Sequence, residues 1–208
     1  MNSLLNHYLP VFSMGIKFSL TPEDYPDCNH FRNECITLLD KAMLNSELLY
    51  NLQDCEDSHF AVIVWLDEMV LKTSPDWVNE WRTSMLQSQR FRTAIGGEEF
   101  YTRLDRIDLV NKDLRQVYLF CLLMGFQGKY AHKRSDELQL RISDERKCLP
   151  DEWQSWPGVA RIIATDVELN SRQSFQRLRF FHNKTSLFLF GAIFYLTTLS
   201  GLHLLIRN

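Results

Sequence analysis

Phe60-Ala61-Val62-Ile63-Val64-Trp65-Leu66 is apolar without interruption, and such a run suits a buried strand as well as a buried helix. The residues after it decide. Asp67-Glu68-Met69-Val70-Leu71-Lys72 continues the element with no turn signal, which makes it longer than the mean strand of about 5–6 residues. The reading is a helix, and the rest of the chain is read outward from it.

Upstream, Asn29 to Gln53 carries Phe31, Cys35, Ile36, Leu38, Leu39, Met43, Leu48, Leu49 and Leu52 at near-helical spacing. A polar turn is expected at Asp54 to Ser58. Met1 to Phe18 is moderately apolar, but Asn2, Asn6, His7 and Pro10 interrupt it and no basic cluster precedes it, which argues against a signal peptide. Thr21-Pro22-Glu23-Asp24 and Tyr25-Pro26-Asp27 make a turn-rich stretch, because each proline pushes its predecessor away from helical geometry. The first long helix is expected after it.

Downstream, Asp76 is placed to cap a helix carrying Trp77, Trp81, Met85 and Leu86 on one face. Ile95-Gly96-Gly97-Glu98-Glu99-Phe100-Tyr101 reads as a helix start whose two acids complement the positive end of the helix dipole. Asn111 to Phe126 is the next helix, its uncharged half Val117 to Phe126 suited to the core, with Gly125 and Gly128 closing it. Arg134 to Lys147 fits either a loop or an exposed helix. Pro150 and Pro157 mark breaks, and Gly158 to Asn183 resumes a helical pattern. With no strand-turn-strand pattern or internal repeat, the fold class is all-α.

The 208 residues are 45% hydrophobic and 24% charged with a formal net charge of -3, an ordinary globular balance that gives no global reason to expect nucleic-acid binding. Five cysteines, Cys28, Cys35, Cys55, Cys121 and Cys148, are scattered without a Cys-x-x-Cys pair. They read as reduced thiols in a cytoplasmic body. Cys121, inside an apolar run, acts as a small hydrophobe.

Ser186 to Ile206, SLFLFGAIFYLTTLSGLHLLI, contains no Asp, Glu, Lys or Arg, and as a helix it would be about 31 Å long against about 30 Å of bilayer hydrocarbon. Arg172, Arg177, Arg179 and Lys184 precede it and Arg207 alone follows, so the positive-inside rule keeps the N-terminal body in the cytoplasm. The expected organisation is an N-terminal segment (1–28), a cytoplasmic helical domain (29–184), a transmembrane tail anchor (185–206) and a short periplasmic tail (207–208).

Candidate chemistry is sparse. Asp67 and Glu68 are adjacent, so on a helix they point about 100° apart and do not converge on one substrate. Gly125-Phe126-Gln127-Gly128-Lys129-Tyr130 has Tyr where a phosphate loop would have Ser or Thr. His30 and Glu34 share a helical spacing without a third ligand, and no nucleophile signature is present. No catalytic residue, metal or cofactor is expected. Function must come from surfaces.

Trp65-Leu66-Asp67-Glu68, then Trp81, Phe91, Gly96-Gly97-Glu98-Glu99-Phe100-Tyr101-Thr102-Arg103-Leu104, and then Tyr118 through Tyr130 occur in an order that resembles the DotU/TssL family. That family comprises inner-membrane components of type VI secretion systems and of the related type IVB systems. The resemblance implies a cytoplasmic domain of two small helical bundles followed by one C-terminal transmembrane helix. It also implies a non-catalytic role as a tail-anchored scaffold. The implied partners are the large IcmF/TssM-type inner-membrane protein, cytoplasmic baseplate components and a second copy of the chain. Carried onto matching positions, Asp67, Glu68 and Gln127 are candidates for the docking surface. Trp65, Gly96, Gly97, Phe100, Tyr101, Gly125, Phe126, Gly128 and Tyr130 are expected to fix helix ends and packing. A type IVB role and a membrane-tethered enzyme using Asp67, Glu68 or a histidine are the alternatives.

Overall fold

The computed structural model describes residues 3–131 and 135–154. Among them are nine α-helices: α1 (Leu4–Leu20), α2 (Cys28–Glu47), α3 (Leu52–Thr73), α4 (Val78–Thr83), α5 (Leu86–Phe91), α6 (Gly96–Arg106), α7 (Lys112–Leu123), α8 (Ser135–Lys147) and α9 (Asp151–Gln154). No strand occurs among the described residues, so the all-α expectation holds for them.

The apolar run that could not show a stripe lies at the centre of α3, where every residue from Ser58 to Asp67 is buried. A helix enclosed on all sides has no polar face to give it a period. Helices α1, α2, α4, α5, α6 and α7 all pack against α3. One continuous apolar core runs through them, with α3 at its centre.

Asn51 starts α3 by accepting the Asp54 N–H at 2.9 Å. The chain reverses over residues 48–51, and the turn expected at 54–58 is instead the first part of the helix. Asp54 sits in the first turn of α3, where an acid is favourable.

The expectation that the long helices begin after residue 28 is also corrected. Helix α1 buries Leu4, Leu5, Tyr8, Val11, Phe12, Met14, Gly15 and Phe18. Of the residues that make the segment look interrupted, Asn6 and Pro10 are exposed and His7 is half-buried. Gly15 allows the close approach, since a Cβ there would meet the Trp65 ring at 2.6 Å.

The helix expected after Asp76 is two short ones. Helix α4 has Trp77, not Asp76, at its N-cap and no side-chain cap, and it ends at Ser84. Met85 then precedes α5. Helix α8 resolves the open choice at 134–147. Leu138 and Ile142 face the core while Leu140 is exposed, and Arg115 on α7 pairs with Glu145 in a buried ion pair.

Directions follow from contacts. Tyr8 lies at Ser58, Phe12 at Trp65, Asn111 at Asp54 and Met124 at Trp65, so α1, α3 and α7 run the same way. Helix α6 opposes α3, with Arg103 on Asp57. Helix α8 opposes α7, with Lys112 Nζ donating to Cys148 O at 2.6 Å. The α3 N-terminus, the α7 N-terminus and the end of α8 therefore share one end of the body.

Candidate functional site

The two carboxylates of α3 diverge as adjacent helical positions must, and each fastens a different segment. Asp67 is 2% exposed. Its Oδ1 accepts from Trp81 Nε1 at 2.9 Å and from the Leu86 N–H at 3.1 Å, and its Oδ2 accepts from the Gln87 N–H at 2.8 Å. The last two donors belong to the first turn of α5, whose N-terminal amides have no intrahelical partner. Asp67 thus ties α4 and α5 to α3. As a docking residue Asp67 is corrected: its carboxylate is interior and fully engaged, and it is not on the surface.

Glu68 turns the other way. Its Oε1 accepts from the Gln127 N–H at 2.8 Å and its Oε2 from the Gly128 N–H at 2.7 Å. Lys72, one helical turn along, reaches Glu68 at 2.6 Å and donates to Gly125 O at 2.7 Å. Tyr101 Oη donates to Gln127 O at 2.9 Å, and Trp65 Nε1 donates to Met124 O at 3.2 Å. The turn from Met124 to Tyr130 is held from four sides.

The motif glycines explain why that turn sits so low. Gly128 has φ +51, and a Cβ on it would lie 2.5 Å from Gly97 O. Backbone meets backbone there, which only glycine allows. Gly125 has φ +90. Gly96 is equally confined, because a Cβ there would lie 2.9 Å from Val64 Cγ2 and 2.2 Å from Gln87 Oε1. Phe100 then packs on Tyr118 and Phe126 with ring centres 4.7 and 4.3 Å apart, and Tyr130 stands edge-on to Tyr101 at 4.9 Å.

The structure thus brings together Trp65, Glu68, Gly97, Phe100, Tyr101, Gly125, Phe126, Gln127, Gly128 and Tyr130. Asp67 stands apart beside Trp81 and α5, and Gly96 sits at the α3–α5 side. Sequence reasoning missed Lys72, although its i,i+4 spacing from Glu68 was a usable signal. It also missed the Arg115–Glu145–Arg141–Asp105 network joining α6, α7 and α8, in which Arg141 and Glu145 share an i,i+4 spacing while Arg115 and Asp105 are 30 and 36 residues from their partners. Arg177, Arg179, Lys184 and Arg207 lie outside the described residues, as does the predicted span 186–206. Among the described residues no helix is long and apolar enough to cross a membrane, and no metal-binding cluster of His, Cys, Asp or Glu occurs.

Burial sets opposite protonation habits on two α3 side chains. It pushes Asp67 up to about 6 from 3.8, against the pull of the amides of Gln87 and Leu86, the Trp81 indole and Arg32. It pushes His59 down to about 4 from 6.5, with Arg90 adding to the effect and Asp40 opposing it. Between about pH 4 and 6 native Asp67 keeps a proton that the unfolded chain has lost, so its contribution to stability falls as pH rises. Native His59 lacks a proton that the unfolded chain holds over nearly the same window, so its contribution rises with pH. The two slopes oppose each other. Thermal unfolding of the full chain in mild detergent, followed by helical circular dichroism, tests this. Asp67→Asn is expected to leave stability rising across that window, and His59→Phe to leave it falling, each by at most about 1.4 kcal/mol per pH unit. The reverse sign in either variant contradicts the assignment.

Comparison with known proteins gives a consistent pattern. The family described as type VI secretion system protein DotU matches residues 3–205. The cytoplasmic domain of TssL from Acinetobacter baumannii is similar in structure with a TM-score of 0.61 and 25% identity, covering 70% of this chain and 97% of that one. SciP/TssL from enteroaggregative Escherichia coli has a TM-score of 0.58 and 20% identity, covering 71% of this chain and 88% of that one, a likeness of fold. No curated protein matches significantly.

Proposed function

The chain belongs to the DotU family of type VI secretion system proteins, and from that premise we propose that it is a tail-anchored, non-catalytic scaffold of the secretion membrane complex. The observation that carries this is the extent of the family match. It runs to residue 205 and so takes in all but the last residue of the apolar stretch 186–206, while the likeness to a TssL cytoplasmic domain accounts for 70% of the chain. A helical body held in the cytoplasm by a terminal span is the arrangement that fits both. The basic residues Arg172, Arg177, Arg179 and Lys184 before the span favour that orientation.

Docking of cytoplasmic components falls to the turn that Glu68 holds. Its fixed backbone presents exposed Gly125 and Lys129 and half-buried Gln127, with exposed Lys72 beside them. A rigid, cation-bearing turn suits a partner that offers carboxylates. Such a surface binds without chemistry, consistent with two α3 carboxylates that point into different segments.

Co-purification from membranes tests the reading. A tagged full chain, expressed beside its secretion genes, is expected to recover both the IcmF/TssM-type protein and baseplate components. Lys129→Glu is expected to lose the baseplate components while keeping the membrane partner. Failure to recover the membrane partner with the unaltered chain would overturn the scaffold role, and unchanged baseplate recovery in Lys129→Glu would move the docking surface elsewhere.

A further inference from the structure

The end of the body where α3 and α7 begin is unusually apolar. Leu44, Leu48, Leu49 and Leu52 at the α2–α3 turn, and Leu109 and Val110 in the α6–α7 loop, are each at least 60% exposed. They form one end because Asn111 Nδ2 donates to Asp54 Oδ1 at 2.9 Å, joining the two turns. Four leucines around one turn are more apolar surface than scattered single exposures explain.

Several backbone amides at this end are satisfied from within. Asn51 accepts the Asp54 N–H and Asn111 accepts the Leu114 N–H, while the Leu49 and Tyr50 amides bond Ser46 O and the Val110 amide bonds Asp108 Oδ1. Helix N-termini normally leave such donors for water. With these five closed, fewer polar groups are stranded when the apolar side chains leave water, which eases contact with lipid.

The last described residues also lie at this end. Helix α8 runs antiparallel to α7 and returns to this end, where Lys112 holds Cys148 O and Gln154 closes on Leu149 O. The apolar stretch 186–206 follows in sequence. Among the exposed charges around the apolar end, Glu47, Glu56 and Asp108 outnumber Lys41 three to one, so nothing there attracts an acidic partner.

We propose that this end rests on the membrane surface, with the leucines of the α2–α3 turn and Leu109-Val110 entering the boundary between lipid headgroups and acyl chains. The inference rests on the tail-anchor reading and deepens it: the body is held at a fixed orientation, with the Glu68-held turn at the far end of α3. Apolar side chains of this kind reach about 5–10 Å into that boundary. The 22 residues of α3 rise about 33 Å, which keeps the opposite end clear of lipid.

The experiment uses the full chain in vesicles of phosphatidylethanolamine and phosphatidylglycerol. Its one partly exposed thiol, Cys148, is removed as Cys148→Ser, since the other four cysteines are buried. An environment-sensitive fluorophore is placed on Leu49→Cys, Val110→Cys or, at the opposite end, Asp76→Cys, and lipid carrying a nitroxide near the headgroup is the quencher. Expected is loss of about half the emission at positions 49 and 110 and little at 76, the contrast required by a contact only about 5–10 Å deep. Equal quenching at all three positions, or a blue-shifted but unquenched probe at 49 and 110, which means a protein covers them, overturns the inference while leaving the anchor intact. A chain that fails to float with vesicles overturns the anchor reading and this inference with it.

Discussion

Asp67→Ala is expected to destabilise the body by about 3–5 kcal/mol, because it strands three buried donors at once, and removing a buried charged acceptor costs at the upper end of single-site effects. For a chain of this size that corresponds to a fall in Tm of about 10 °C. The donors are the Trp81 indole and the amides of Leu86 and Gln87, and water reaches them poorly, since Trp81 and Leu86 are 0% and Gln87 7% exposed. Asp67→Asn is expected to lose roughly half as much, as its single amide oxygen replaces two acceptors and its NH2 faces a donor. Glu68→Ala provides the contrast. Glu68 is partly exposed at 19%, so water can take over the Gln127 and Gly128 amides, and a loss of about 1–2 kcal/mol is expected. Thermal melts of the full chain in detergent rank the three. An Asp67→Ala melt equal to that of Glu68→Ala would show that Asp67 does not pin α5, and would reopen its place on a docking surface.

That ranking shows where the sequence is informative. The divergence of Asp67 and Glu68 follows from adjacency on a helix, so it was legible in advance, as were the α6 start at Gly96 and the closure of α7 by Gly125. Which carboxylate faces inward was not legible, because Asp67 is buried by Trp81, Leu86 and Gln87, which lie 14 to 20 residues away. Local pattern carries no information about such partners. Helix α1 was hidden for a related reason: Asn6 and Pro10 are exposed and His7 is half-buried, yet in sequence they look like interruptions. The α2–α3 boundary moved because Asn51 and Asp54 are both turn formers, and only the hydrogen bond from the Asp54 amide to Asn51 Oδ1 tells which one caps the helix. The short helices α4 and α5 separate at Ser84, whose φ of -152° and ψ of 55° no local preference of Met85 or Leu86 announces.

The anchor gives the other large effect. Leu196→Asp together with Leu199→Asp is expected to remove the full chain from the membrane. On the insertion scale a central aspartate contributes about +2.5 to +3.5 kcal/mol and the leucine it replaces about -0.5, so the pair shifts insertion by about 6–8 kcal/mol, more than ten-thousandfold in the partition. Aspartate is the better probe than arginine, because its short side chain cannot snorkel to the interface as a long basic one can. The flanking cations are untouched, and any attraction of Arg177, Arg179 and Lys184 to anionic lipid, about 1 kcal/mol each, is far too weak to hold the variant against a carbonate wash. Leu20→Asp, at a residue 66% exposed in the described body, is the control for adding acid to the chain and is expected to leave the membrane fraction unchanged. The measurement is the share of full-length protein in carbonate-washed membranes, with partner recovery from the same fractions. Loss of the double variant from both, with its helical circular dichroism intact, ties assembly to the tail. Retention of the double variant in the washed membranes would mean that the helical body itself, through its leucine-rich end or through a partner, supplies the attachment.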